Sequence, residues 1–152
     1  MNNTQNAVAV ISIPTAEAFA VVGQDEEGND ITKVEQICRD IFASTNRTTR
    51  IDKMGVNGDR TIFFCTDTGD DWLPHLTDGN IQVVAVWRAD VDNKRMMLDT
   101  RFPVTLQQLK DNKVLVPALD DQAAETGDWQ CVLPVSDGDV FRNGYELPKG
   151  AS

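Results

Sequence analysis

The chain has almost no histidine, no paired cysteines and no long apolar run, and each shortage removes a class of function. His75 is the single histidine in 152 residues, so one copy of the chain cannot build a site from several imidazoles. Cys38, Cys65 and Cys131 are odd in number, far apart and without a C-x-x-C pair. That excludes a disulfide framework and a zinc signature. Each cysteine lies in an apolar run, so buried free thiols are expected, and with them a reducing compartment. No stretch approaches the roughly 20 apolar residues of a membrane span. The start, MNNTQNAVAV, lacks the basic residues of a signal peptide. The expectation is a cytoplasmic protein, or part of an assembled particle, with no membrane partner. Phosphate-cradling and nucleophile-elbow motifs are missing as well. No cofactor and no metal are expected.

Basic residues are scarce at both ends. Residues 1–30 hold five acids and no Lys or Arg, and residues 114–152 hold seven acids against Arg142 and Lys149. The middle of the chain is balanced, so the ends carry the whole net charge of −10. Such a chain repels nucleic-acid phosphates and anionic lipid, and no direct nucleic-acid binding is expected. Arg47, Arg50, Lys53 and Arg60 form the one basic grouping, interleaved with Thr and Gly, and read as a solvated loop.

What is present is enough for a core. At 16.8 kDa a single domain over 1–152 is expected, burying roughly 70% of its unfolded surface. Ile81–Trp87 is a nearly unbroken apolar run, followed by turn formers (Asp90, Asp92, Asn93) and a second run, Met96–Leu98. This predicts a hairpin whose first strand is covered on both faces and lies inside a sheet. Ala7–Ile13 and Phe19–Val22 read as two strands that pair, or as one strand bent at Pro14. Thr61–Cys65 and Trp129–Leu133 read as strands, and Val114–Val116 as a short one closed by Pro117. Arg47–Arg60 reads as a polar connector with a turn at Asn57-Gly58, and Ala118–Asp128 as an acidic loop.

Helical periodicity is concentrated in one place. Ile31, Val34, Ile37, Cys38, Ile41 and Phe42 recur at offsets of three and four, with Thr32 and Glu35 as a capping box. A helix is predicted over about 31–45. A shorter one, over about 105–110, carries the box Thr105/Gln108. The fold class predicted is therefore α+β, with a mainly antiparallel sheet and one principal helix.

Candidate chemistry is sparse. Asp67-Thr68-Gly69 directly follows the strand Ile62–Cys65. A strand leading into D-T-G resembles the active-site loop of the aspartic proteases. In that family the Asp pairs with a second Asp to activate water. The resemblance covers only these residues. Asp70 stands where that family has a small residue, no second D-T/S-G follows, and a symmetric dimer would have to supply the second carboxylate. The acid groups Asp25/Glu26/Glu27, Asp67/Asp70/Asp71 and Asp120/Asp121 do not match the calcium-loop spacing. They read as solvated. His75 has no Ser or Cys motif pointing to it.

Acids beside tryptophans point to binding. Trp72 follows Asp70-Asp71, and Trp129 follows Asp128. Trp anchors interfaces and flanking charge steers partners. The candidate partner-binding residues are Trp72, Asp70, Asp71, Asp120, Asp121 and Asp128, while Trp129 is expected in the core. The functional expectation is a non-catalytic interaction protein, a subunit or accessory piece of a larger assembly such as a virus-like particle. Its partner is a protein, of basic character, or further copies of itself. The alternative is an acidic inhibitor that mimics nucleic acid in the basic cleft of another protein. A dimeric acid protease using Asp67 is the outsider.

Overall fold

A computed structural model describes residues 7–46, 48–68, 73–76, 79–90, 92, 95–131 and 145–148. Its centre is a five-stranded antiparallel sheet. The strands are β1 (Ala7–Pro14), β4 (Arg50–Asn57), β5 (Arg60–Thr68), β6 (Gln82–Asp90) and β7 (Arg95–Leu98), in the order β4-β5-β1-β6-β7. Two hairpins stand apart as two-stranded sheets. One is β2 (Val21–Gln24) with β3 (Asp30–Thr32), and the other β8 (Leu115–Leu119) with β9 (Glu125–Cys131). The described residues also form four helices: α1 (Thr15–Ala18), α2 (Lys33–Thr45), α3 (Leu73–Leu76) and α4 (Leu106–Asp111). The architecture is α+β, as the periodicities predict.

The first strand is the axis of the fold because it is apolar at odd and even positions alike. Ala9, Ile11 and Ile13 face one core with Phe63, Cys65 and Val86, and the helical residues Ile37, Ile41 and Leu76 close it. Val10 faces the other way, into a second core with Ile62, Phe64, Ala85 and Trp87, closed by Leu109, Val114 and Leu115. Alternate residues of a strand point to opposite faces, so one sheet serves both cores. Burying each large side chain contributes roughly 1.5–3 kcal/mol. β6 sits inside the sheet between β1 and β7, as its two-sided apolar run predicts.

Local chemistry sets the helix starts. The Thr32 hydroxyl accepts the Glu35 N–H, and the Glu35 carboxylate accepts the Thr32 N–H at 2.9 Å. Thr105 and Gln108 repeat this reciprocal cap. α2 stops at Asn46, whose left-handed φ of 61° turns the chain while its N–H bonds the Phe42 carbonyl.

Several expectations are corrected. Arg50–Asn57 is an edge strand, not part of a connector; only the turn at Asn57-Gly58 survives, with Asn57 opposite Arg60. Phe19–Val22 does not pair with Ala7–Ile13: α1 intervenes, and Val21 pairs with Thr32. β8 runs through Pro117 to Leu119, and β9 begins at Glu125, so most of the predicted acidic loop is strand. The basic grouping is dispersed: Arg50 pairs with Asp52 at 3.0 Å, and Arg60 turns inward to Ser12 and the Asn80 carbonyl. Arg47 lies outside the described residues.

Candidate interaction surface

The excess negative charge is gathered on the two hairpins. Residues 21–32 contain Asp25, Glu26, Glu27 and Asp30, and residues 115–131 contain Asp120, Asp121, Glu125 and Asp128, with no Lys or Arg in either segment. Eight acids without a base account for −8 of the chain's −10. The same segments carry four of the large exposed apolar side chains: Val21, Val22, Leu119 and Trp129.

One turn chemistry builds both tips. In β2–β3, the Asp25 carboxylate accepts the N–H groups of Glu27 and Asn29, each at 2.9 Å, while Gly28 N–H bonds the Asp25 carbonyl. In β8–β9, the Asp120 carboxylate accepts Gln122 N–H at 2.8 Å and Ala124 N–H at 3.0 Å, while Ala123 N–H bonds the Asp120 carbonyl. The fourth residue of each tip takes a positive φ, 85° at Gly28 and 63° at Ala123. A carboxylate that captures backbone N–H groups favours its charged form. The Asn29 N–H is the main reason Asp25 titrates below the usual Asp range, and the Ala124 N–H the main reason for Asp120. Asp25 and Asp120 therefore hold their charge, and with it the turn, further into acid than an ordinary Asp.

The candidate residues fall into two groups. Asp120, Asp121 and Asp128 come together on the β8–β9 hairpin and are exposed, though one Asp120 oxygen is committed to its turn. Trp72, Asp70 and Asp71 lie outside the described residues. Trp129 corrects the expectation of a core position: it is 45% exposed. The Lys110 ammonium sits 4.4 Å from its ring centroid, a cation–π contact. Glu125–Gln130 of β9 are all exposed, the aromatic side chain among them.

The groups that the sequence singles out for chemistry lie in separate elements. Asp67 lies within β5 rather than in a loop beyond it. Cys65 is fully buried, and desolvation pushes its thiol far up; the same cause raises Cys131 to about 12, and Cys38 also rises. Burial that disfavours the thiolate slows the reactions of a thiol. His75 sits half-buried in α3. Among the described residues no group of three or more His, Cys, Asp or Glu is placed to hold a metal ion. A shallow groove of about 370 Å³ lies beside α2, lined by Cys38, Arg39, Phe42, Thr48 and Thr49. Among the described residues, no helix is long and apolar enough to cross a membrane.

Comparison with family models, with curated proteins and with solved structures finds no match to this chain.

Proposed function

We propose that this protein is a non-catalytic subunit or accessory component that binds other proteins within a larger assembly. One observation carries the reading: two hairpins outside the sheet concentrate −8 of the net charge beside Val21, Val22, Leu119 and Trp129. Exposed apolar side chains ringed by charge of one sign are the anatomy of a contact surface. The five-stranded sheet is the rigid support, and the hairpins are the parts that meet the partner. The three unpaired thiols fit a reducing setting such as the cytoplasm, or the interior of an assembled particle.

The test is the native mass of the protein isolated from its own source, by size exclusion with light scattering at low and high salt. A complex far heavier than 16.8 kDa, holding at both salts, is the expected result. A lone monomer at both salts overturns the reading. The −4 on each hairpin favours a second reading, an acidic mimic that fills the basic cleft of a nucleic-acid-binding protein. Its complex would fall apart at high salt, because the screening length drops from about 10 Å at 0.1 M to about 3 Å at 1 M.

A further inference from the structure

We infer that the Trp129 face of the β8–β9 hairpin is the docking site for a basic segment of a partner protein, one that presents apolar side chains between Lys or Arg. This rests on the reading of the protein as a binding subunit and names the partner's chemistry. The stripe that forms this face begins inside the molecule. Leu115 and Cys131 are cross-strand partners and pack with the second core. The next pair outward is Pro117 and Trp129, and Leu119 follows on the same face of β8. Pro117, Leu119 and Trp129 are all exposed, Leu119 at 56%. A core-facing stripe thus continues past the body that should cover it. A two-stranded hairpin alone buries too little to be stable in water, and an added layer supplies what is missing.

Charge selects what that layer is. Every charged residue of the hairpin is acidic: Asp120, Asp121, Glu125 and Asp128. Two copies meeting face to face would set −4 against −4, so a second copy is the wrong occupant. Lys110, reaching over from α4, already lays its ammonium on the Trp129 ring. That contact shows that the ring takes a cation; a partner's Lys or Arg would displace Lys110 from it and pair with the neighbouring carboxylates. The contact is across the face, not along the strand edge. Gly127, at φ 93°, and the register shift between Pro117 and Leu119 break the edge of β9, and such a bulge hinders strand addition.

The test uses the full chain and two probes: a short peptide alternating arginine with leucine, and its twin with glutamate in place of arginine. Binding is followed by fluorescence anisotropy at low salt. The arginine peptide binds saturably and the glutamate twin does not. Trp129→Ala and Leu119→Ser each weaken binding by about tenfold or more, the scale of an interface hot spot, while Phe42→Ser, at an exposed position on α2, changes it little. Far-UV circular dichroism checks that each variant folds; the two hairpin variants are independent, so one suffices if the other fails. No saturable binding of the arginine peptide overturns the inference, as does equal affinity of wild type and the folded hairpin variants. A dimer in light scattering that Trp129→Ala dissociates also overturns it, in favour of a second copy. If the native complex persists unchanged with Trp129→Ala, the binding-subunit reading stands and only this assignment of the face fails.

Discussion

The indole N–H of Trp87 donates to the backbone carbonyl of Glu146 at 3.0 Å, closing a contact between residues 59 positions apart. The segment 145–148 is thereby strapped to β7, where the Glu146 N–H bonds the Met96 carbonyl and Tyr145 bridges Met96 in parallel. The strap occupies the outer edge of β7, so that edge is no longer open to strand pairing.

Tyr145→Ala should loosen this strap. Its ring meets Trp87 edge-on with centroids 5.5 Å apart. Such a pair contributes about 0.5–1.5 kcal/mol beyond area burial, and truncating the half-buried ring adds a loss of about 1 kcal/mol or more. A fall of about 2 kcal/mol in urea unfolding is expected, together with a changed near-UV signal from Trp87. An unchanged unfolding midpoint would show that the strap does not hold the sheet.

Asp99 should make stability depend on acid. Its side chain is 7% exposed and accepts from Arg101 at 2.7 Å and from Arg88 at 2.8 Å. The Arg101 hydrogen bonds are the largest cause holding its carboxyl far below the usual range; burial opposes them, and Arg88 adds to them. A folded-state pKa below the unfolded one stabilises above the unfolded value and is lost as pH falls through the folded one. Asp99→Asn should therefore cost about 1–3 kcal/mol at neutral pH, the worth of a hydrogen bond to a charged group. The difference from wild type should shrink as pH drops below about 4, where the unfolded carboxylate protonates. Denaturation series across pH measure this, and a penalty that stays constant down to the most acid condition contradicts it.

Arg60 closes one end of the sheet. Its guanidinium donates to the Ser12 hydroxyl at 2.6 Å, to the Ser12 carbonyl at 2.8 Å and to the Asn80 carbonyl. This ties β5 to β1 and to the turn before β6. A lysine keeps the charge but not the planar fork that reaches several acceptors. Arg60→Lys should lower stability by about 1–2 kcal/mol, read from the thermal midpoint. A loss no larger than for an exposed surface lysine swap would remove Arg60 from this role.

The parts of the fold legible in the sequence are those whose signal is local or two-sided. The Thr32/Glu35 and Thr105/Gln108 boxes are reciprocal contacts within four residues, so the letters alone locate the helix starts. The doubly apolar run of β6 announces an interior strand. β4 was hidden because Asp52, Lys53 and Gly55 are poor strand formers; its pairing with β5 supplies what its own residues lack. Trp129 was hidden for the opposite reason. A strand with an aromatic reads as core, and only the arrangement of the described elements shows that Trp129 is exposed. The matching tips at Asp25 and Asp120 had a faint signature. In each, an Asp stands three residues before the small residue, Gly28 or Ala123, that takes positive φ.

The helix cap offers a local test of the element that closes the first core. Thr32→Ala removes the hydroxyl that accepts the Glu35 N–H at 3.3 Å and leaves the Glu35 carboxylate with half of its box. The expected cost is about 1 kcal/mol, measured by chemical denaturation, with the folded far-UV spectrum unchanged. A neutral result would mean that packing of Ile37 and Ile41 fixes the start of α2 without help from its cap.

The thiols should react in a fixed order. Cys65 lies at full burial in the first core, against Ile51 and beneath α2, whereas Cys38 and Cys131 are partly accessible. Thiolate is the reacting species, so both burial and a raised pKa slow a disulfide reagent. At mildly alkaline pH, Cys38 should be labelled first. Cys131, raised to about 12 by burial, should follow slowly. Cys65 should be labelled only when the protein unfolds, so its rate should rise with denaturant in step with loss of structure. Mass spectrometry of timed samples gives the order. Labelling of Cys65 at the rate of Cys38 in the native protein would mean that the face of the sheet beneath α2 is open, and the first core with it.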